Sequence, residues 1–308
     1  MRLGVLDVGS NTVHLLVVDA HRGAHPWPSL SEKATLRLAE RISPHGNLSE
    51  GGADALVEAV RDARDAAHRH GVRELLAFAT SAVRDARNAA EVLARVRDET
   101  GVDLQVLSGA DEARLTFLAV RRWFGWSAGR LLVLDIGGGS LEIAAGVDEE
   151  PDVAMSLPLG AGRLTRDWLT ADPPALSEID KLREYADEQL AALNLVPWDR
   201  AAATSKTFRT LARLAGAAPS GQGIWTPRSL TRTGLHQVLG FIRHIPSGAL
   251  GGLDGVSAAR AYQLLAGAVV ADAALRRLRV DQVDVCPWAL REGVILRRLD
   301  ALTTNESD

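Results

Sequence analysis

Residues 131–147, LLVLDIGGGSLEIAAGV, decide how the whole chain is read. An apolar run leads into Asp135, three glycines and Ser140 follow, and an alternating segment begins at Leu141-Glu142-Ile143. The run has the pattern of a buried strand and the alternation that of its neighbour, so the glycines form the turn between them. Gly137, Gly138 and Gly139 can take positive φ and carry no Cβ, which lets backbone N–H groups cradle an anion. Asp135 and Glu142 bracket the turn, and carboxylates beside a phosphate turn are a common way to hold phosphate with a divalent cation. Taken alone, the same residues also suit an ordinary tight hairpin.

The chain repeats this pattern. Residues 3–19 read LGVLDVGSNTVHLLVVD, and a shift of 128 (135 minus 7) carries Asp7 onto Asp135, Gly9 onto Gly137, Ser10 onto Gly138, Thr12 onto Ser140 and His14 onto Glu142. Two strand–turn–strand units, each opening about half of the chain, predict two similar domains whose turns meet across a cleft.

The wider composition suits this plan. A chain of 308 residues holds two domains of ordinary size, and 46% hydrophobic with 24% charged residues is normal for a globular protein. A formal net charge of −4 argues against a general nucleic-acid binder. Lys33, Lys181 and Lys206 are the only lysines, so arginine supplies nearly all the positive charge and, with it, bidentate phosphate ligands. The single cysteine, Cys286, excludes an intramolecular disulfide and is expected to be a buried thiol. The first turn lies nine residues from Met1, and the longest apolar run is interrupted by Asp272. A cytoplasmic protein with no membrane span is expected.

Along the chain, residues 31–38 alternate as a third strand after a polar turn at 21–28, and a helix follows to about His70. A buried strand at 75–79 empties into TSAVRDARN, where Asn88 and Glu91 have the spacing of a capped helix start. Arg84, in the middle of that strand-to-helix connection, is either a phosphate ligand or a solvated surface arginine. SGADEARLTFLAV begins another helix, with Ser108 as cap and Asp111 and Glu112 in the first turn. Acids there complement the helix dipole, and either one near a phosphate can also orient or deprotonate a water. Residues 125–129 mark the domain boundary, giving domains 1–124 and 125–308, with a last helix able to pack back toward the interdomain hinge. The second domain adds a strand at 153–157, helices near 163–169 and 177–192, and a strand at 201–204 that feeds SKTFRTL. Lys206 sits in that junction, at a helix start suited to anions. Helices at 235–245 and 258–278, a strand at 283–286 and a last helix complete the chain, with disorder expected in the final residues.

Together these segments resemble the exopolyphosphatase/guanosine pentaphosphate phosphatase (Ppx/GppA) family, of the acetate/sugar kinase–Hsp70–actin superfamily. LDVGSNTVHLLVVD is similar to its first phosphate motif and TSAVRDARN to its first connecting segment. SGADEARLTFLAV resembles its catalytic-glutamate helix, LDIGGGSLEIAAG its second phosphate motif and PWALREGVILRRLD its C-terminal signature. The match spans nearly the whole chain. The glycine motifs are shared with actin-like kinases, whereas their combination with the glutamate helix is specific to this family. The resemblance implies an α/β fold of two actin-like (ribonuclease H-like) domains, with mixed sheets flanked by helices and the active site in the interdomain cleft.

It also implies site residues. Glu112 matches the glutamate that activates water; Asp135 and Glu142 match catalytic carboxylates around the metal and the scissile phosphate, and Asp7 the first-motif acid. The implied metal set is thus Asp7, Asp135 and Glu142, with Mg²⁺ or Mn²⁺ as cofactor. Gly9, Ser10, Asn11, Gly137, Gly138, Gly139 and Ser140 match the phosphate turns, and Arg84 a phosphate-binding arginine. The chain resembles the short type that lacks a helical HD-like domain. The family usually has a glycine where this chain has Lys206; that cation either disfavours a guanosine and favours a bare phosphate chain or is a solvated helix-start residue.

The expected activity is release of orthophosphate from the end of inorganic polyphosphate, with hinge closure and a homodimer as further expectations. The nearest alternative is hydrolysis of guanosine pentaphosphate; a phosphotransferase and a non-catalytic polyphosphate or alarmone sensor are more distant ones.

Overall fold

The structure is a computed structural model that describes residues 1–21, 26–193 and 197–305. By its internal contacts the chain divides into two compact units, Met1–Leu115 with Leu290–Asp308, and Thr116–Ala289.

The first unit contains strands β1 (Arg2–Val8), β2 (Thr12–Asp19) and β3 (Pro28–Thr35), helix α1 (Glu50–Arg69), strand β4 (Glu74–Ala79), a single helical turn α2 (Ser81–Arg84), helix α3 (Ala89–Thr100), strand β5 (Gln105–Val106) and the start of helix α4 (Gly109–Phe124). Its sheet runs in the order β3-β2-β1-β4-β5. β1, β2 and β3 form an antiparallel meander, and β4 and β5 add to β1 in parallel. Alternation along β1 decides which residue meets which layer. Leu6 and Val8 pack with α1 residues such as Leu56 and Val60. Leu3 and Val5 pack on the other face with Phe78 and Ile295.

The second unit contains β6 (Leu131–Ile136), β7 (Leu141–Gly146), β8 (Val153–Leu157), α5 (Ala161–Trp168), α6 (Leu176–Ala191), β9 (Arg200–Thr204), α7 (Ser205–Leu214), β10 (Ser229–Thr231), α8 (Arg232–Ile242), the short α9 (Ser247–Leu250), α10 (Leu264–Arg277) and β11 (Gln282–Val285). Its sheet order, β10-β11-β9-β6-β7-β8, repeats that of the first unit from β8 inward and adds β10 at the far edge. Leu132, Leu134 and Ile136 share a core with the almost entirely buried α10. Cys286 is buried and unoxidised, and among the described residues no helix is long and apolar enough to cross a membrane.

The division into compact units differs from the expected domain bounds in two respects. The division falls inside α4, between Leu115 and Thr116, and the last helix, α11 (Leu290–Asn305), belongs to the first unit. Both differences arise from contacts distant in sequence. Ile295 is fully buried in the first core, and Arg298 forms a two-pronged ion pair with Glu74 at 2.7 and 3.0 Å. A Cβ at Gly293 would lie 1.9 Å from the carbonyl oxygen of Leu115, so only glycine lets α11 lie on α4 at that point. The expected helix at 258–278 begins instead as a 3₁₀ segment, Ala258–Gln263, and becomes α-helical at Leu264. The disorder expected in the final residues falls on 306–308, and half of the polar turn at 21–28 falls on 22–25; both stretches lie outside the described residues.

Candidate active site

The two glycine turns are built alike. Gly9 N–H donates to Thr12 O at 3.0 Å, and 128 residues later Gly137 N–H donates to Ser140 O at 2.9 Å. Asp7 is register partner to His14 and Asp135 to Glu142, so each acid shares a sheet face with its partner. None of Gly9, Gly137, Gly138 and Gly139 adopts a left-handed backbone. Close approach is what excludes side chains here. A Cβ on Gly160 would lie 2.1 Å from the carbonyl carbon of Gly139 and 2.2 Å from Ser140 N. The start of α5 therefore rests directly on the second turn. Ala161 N–H and Arg163 N–H donate to Gly137 O and Gly138 O at 3.0 and 2.9 Å, and Arg163 Nε donates to Gly139 O at 2.8 Å. With its carbonyls engaged in this way, the turn keeps the N–H groups of Gly138, Gly139 and Ser140 as its available donors. The first turn is anchored similarly: Ser10 O accepts from Ala39 N–H, and Asn11 O from Leu36 and Arg37 N–H.

In the first unit, Ser10, Asn11, Arg84 and Glu112 form one connected group. Ser10 Oγ hydrogen-bonds Ser81 Oγ at 2.9 Å, tying the turn to the segment that carries Arg84. Arg84 Nη1 donates to Leu107 O at 3.0 Å and pairs with Glu112 Oε1, while Nε donates to Asp85 at 3.2 Å. Nη2 makes no hydrogen bond among the described residues. Burial works against the Arg84 charge, but Glu112 and Asp85 outweigh it and raise its pKa. Arg84 is thus a fixed, ionised fork rather than a surface side chain. Its side chain is 21% exposed and that of Glu112 only 9%, which puts the pair in the regime where geometry decides its worth.

The local structure separates the two acids at the head of α4. Ser108 Oγ accepts from Asp111 N–H at 3.1 Å and donates to the Asp111 carboxylate at 2.6 Å. That bond, against the opposing effect of burial, helps to hold the Asp111 carboxyl below its ordinary range, with Arg114 acting in the same direction. Asp111 completes the helix cap; Glu112 is the acid buried against Arg84. Asn88, expected to cap α3, does not do so through its side chain. Its amide bridges the backbone of Leu48 instead, donating at 3.0 Å and accepting at 2.9 Å.

The carboxylates expected to bind metal have different environments. Asp7 Oδ2 accepts from Arg291 Nη1 of α11 at 3.0 Å, as the alternation along β1 dictates. Its charge is thereby paired with a cation of the same unit. Asp135 and Glu142 are directly opposed in the second unit, and Glu142 Oε1 accepts from Ser156 Oγ at 2.8 Å. Two opposed oxygen donors suit a hard divalent cation. Among the described residues, no three His, Cys, Asp or Glu side chains form a metal-binding group.

His14, the counterpart of Glu142, is 4% exposed and hydrogen-bonds Ser31 Oγ at 2.8 Å. Burial, Arg291 and Lys33 lower its pKa to about 3, so it is neutral at physiological pH and no equivalent of the carboxylate. Lys206, at the start of α7, is joined to the second turn through Thr207, whose Oγ1 donates to Ile136 O at 3.0 Å. The backbone suited to glycine in this junction is at Ser205, with φ 81, and not at Lys206.

The sequence reading missed Arg121, which is 1% exposed. Its guanidinium donates to the carbonyls of Gly125, Gly129 and Gly146 at 3.3, 2.8 and 2.9 Å. Nothing in its local pattern, RRWFG, separates it from a solvated arginine; the close spacing of Gly125 and Gly129 after it was the only hint.

Two mixed sheets of the same topology, each with an acid-flanked anion turn at the end of its central strand, define a phosphate-handling protein of actin-like architecture. The Ppx/GppA phosphatase family model matches residues 17–302, and the chain belongs to that family. It is 60% identical over 306 residues to "Exopolyphosphatase 1" of Mycobacterium tuberculosis, covering 98% of this chain and 89% of that protein. Over the same length it is 58% identical to the protein of that name from Mycobacterium leprae, with 98% and 90% coverage. Among solved structures, an exopolyphosphatase from Cytophaga hutchinsonii superposes with a TM-score of 0.88 at 25% identity, covering 98% of both chains. The Aquifex aeolicus Ppx/GppA family member superposes with a TM-score of 0.81 at 26% identity and the same coverage.

Proposed function

We propose that this protein is an exopolyphosphatase that hydrolyses the terminal phosphoanhydride bond of inorganic polyphosphate and releases orthophosphate. The observation that carries the reading is the buried Arg84–Glu112 pair, joined through Ser81 to the turn at Ser10. A carboxylate beside a guanidinium fork supports this reading, in a chain closely related to proteins named exopolyphosphatase.

Phosphoryl transfer requires chiefly positioning and stabilisation of charge. The N–H groups of Gly138, Gly139 and Ser140 in the second unit, and Ser10 and Asn11 in the first, are each assigned to phosphate oxygens of the substrate. Arg84, paired with Glu112, is the cation assigned to a phosphate oxygen beside that carboxylate. Glu112 accepts a proton from the attacking water as the water oxygen bonds to phosphorus. The phosphorus–oxygen bond to the rest of the chain breaks, and the shortened chain leaves as an anion. Asp135 and Glu142 would hold a divalent cation, with Mg²⁺ the expected ion, and that ion would supply neutralisation of charge on the phosphate oxygens.

The test is Mg²⁺-dependent phosphate release measured side by side with polyphosphate and guanosine pentaphosphate. Release from polyphosphate at the higher kcat/KM is expected; release from the nucleotide alone would overturn the assignment.

A further inference from the structure

The sheet of the second unit sets four polar side chains in one row. Register pairs Thr204 of β9 with Asp135 of β6, Asp135 with Glu142 of β7, and Glu142 with Ser156 of β8. Side chains directly opposite on neighbouring strands share a face, so the row crosses the sheet beside the second turn. The hydroxyls at its two ends have different partners. Thr204 Oγ1 shares its single proton between backbone carbonyls, Trp288 O at 2.9 Å and Cys286 O at 3.3 Å. Ser156 Oγ donates to Glu142 Oε1 at 2.8 Å, so it is the hydroxyl of the row directed at a carboxylate. Ser156 stands on the edge strand and is partly exposed, whereas Glu142 is buried. A glutamate has one more rotatable bond than an aspartate, and a hydrogen bond that holds one carboxylate oxygen removes much of that freedom before a ligand arrives.

The first unit uses the same device. His14 stands opposite Asp7 as Glu142 stands opposite Asp135, and its Nε2 hydrogen-bonds Ser31 Oγ of β3 at 2.8 Å. There the hydroxyl lies two residues before Lys33, the register partner of His14; in the second unit it belongs to the register partner itself. The third strand of each sheet thus orients the group opposite the central acid, a neutral imidazole in one unit and a carboxylate in the other.

We infer that Ser156 is a positioning residue for the divalent cation: through Glu142 Oε1 it holds that carboxylate in the orientation that, with Asp135, receives the ion. The inference rests on the proposed metal-binding role of Asp135 and Glu142 and adds the residue that presents one of them. Loss of such an outer partner weakens metal affinity or activity by about 10–100-fold.

The test is uptake of Mn²⁺ by the substrate-free protein, read from the electron paramagnetic resonance signal of the free ion. Wild type is compared with Ser156→Ala, Ser156→Val and Ser156→Thr, each checked for a native circular dichroism spectrum. Valine has the shape of threonine without its hydroxyl, so the last two variants differ in that group alone. Phosphate release from polyphosphate at increasing Mg²⁺ gives the half-saturating concentration and, separately, kcat at saturating metal. The Mn²⁺ Kd and the half-saturating Mg²⁺ concentration should rise about tenfold in the alanine and valine variants and recover in Ser156→Thr, with kcat at saturating Mg²⁺ near the wild-type value. A hydroxyl of purely structural use would lower Tm and leave the Mn²⁺ Kd unchanged. That result in the folded hydroxyl-free variants would overturn the inference while the metal reading stands. Mn²⁺ uptake that is absent in wild type, or unchanged by Asp135→Asn, would overturn the metal reading and the inference with it.

Discussion

Gly160→Ala tests whether the second turn depends on how closely α5 rests on it. Gly160 has φ −75 and ψ 141, a conformation alanine adopts freely, so the substitution carries no backbone strain. The whole effect is steric. The new methyl would lie 2.1 Å from Gly139 C and 2.2 Å from Ser140 N, whereas carbon atoms rest at about 3.5–4.0 Å. Helix and turn must therefore separate by more than ~1 Å. Overpacking of this kind costs about 1–3 kcal/mol. At roughly 2–4 °C per kcal/mol for a unit of this size, Tm should fall by roughly 2–12 °C. The displaced peptide carries N–H groups assigned to the terminal phosphoryl, and a misplacement of ~1 Å costs about 100-fold in rate. The assay is phosphate release from polyphosphate alongside thermal unfolding. Gly240→Ala is the control: it lies within α8 with nothing within 4 Å of the added methyl, and it should retain activity and leave Tm unchanged or raised. Wild-type kcat in Gly160→Ala would refute the packing argument.

Two further outcomes follow from the buried polar groups. His14 titrates at about 3 in the folded protein against 6.5 when unfolded, so between these values the unfolded chain binds the extra proton. Above pH 6.5 the group has no effect, and below it stability falls by about 1.4 kcal/mol per pH unit until the folded pKa is reached. His14→Gln should flatten the dependence of chemical-denaturation midpoints on pH over that window; an unchanged slope would contradict the assignment. Arg121→Met removes the donor to three backbone carbonyls. Their loss, partly offset by relief from burying a guanidinium, should destabilise the protein by roughly 2–4 kcal/mol in urea unfolding. A change below ~0.5 kcal/mol would show that the carbonyls find other partners.

Much of this architecture is legible in the sequence because its signals are local. The shift of 128 between Asp7 and Asp135 reappears as the same turn hydrogen bond and the same strand order in both units. Ser108 with Asp111 three residues on announces the start of α4, and the hydrogen bonds match. What the sequence conceals is decided by partners far along the chain. The return of α11 depends on Gly293 meeting the backbone of Leu115 and on Ile295 entering a core built mainly from β1, β2 and β4. Asn88 has the pattern of a cap, but Leu48 offers it two backbone partners 40 residues away. Asp7 is paired with Arg291, 284 residues on, a partner that no local pattern announces. The glycines of the turns invite an argument from φ, whereas the close approach of α5 is the constraint.

The role of Glu112 is the central claim, and Glu112→Gln tests it most directly. The amide keeps the size of the side chain and removes its capacity to accept a proton from water. Phosphate release from polyphosphate should fall by about a thousandfold, within the usual range for loss of a general base. Because the substitution also frees the Arg84 fork, polyphosphate affinity measured by calorimetry should be at least as high as in wild type. Phosphate release at the wild-type rate by Glu112→Gln would contradict the account.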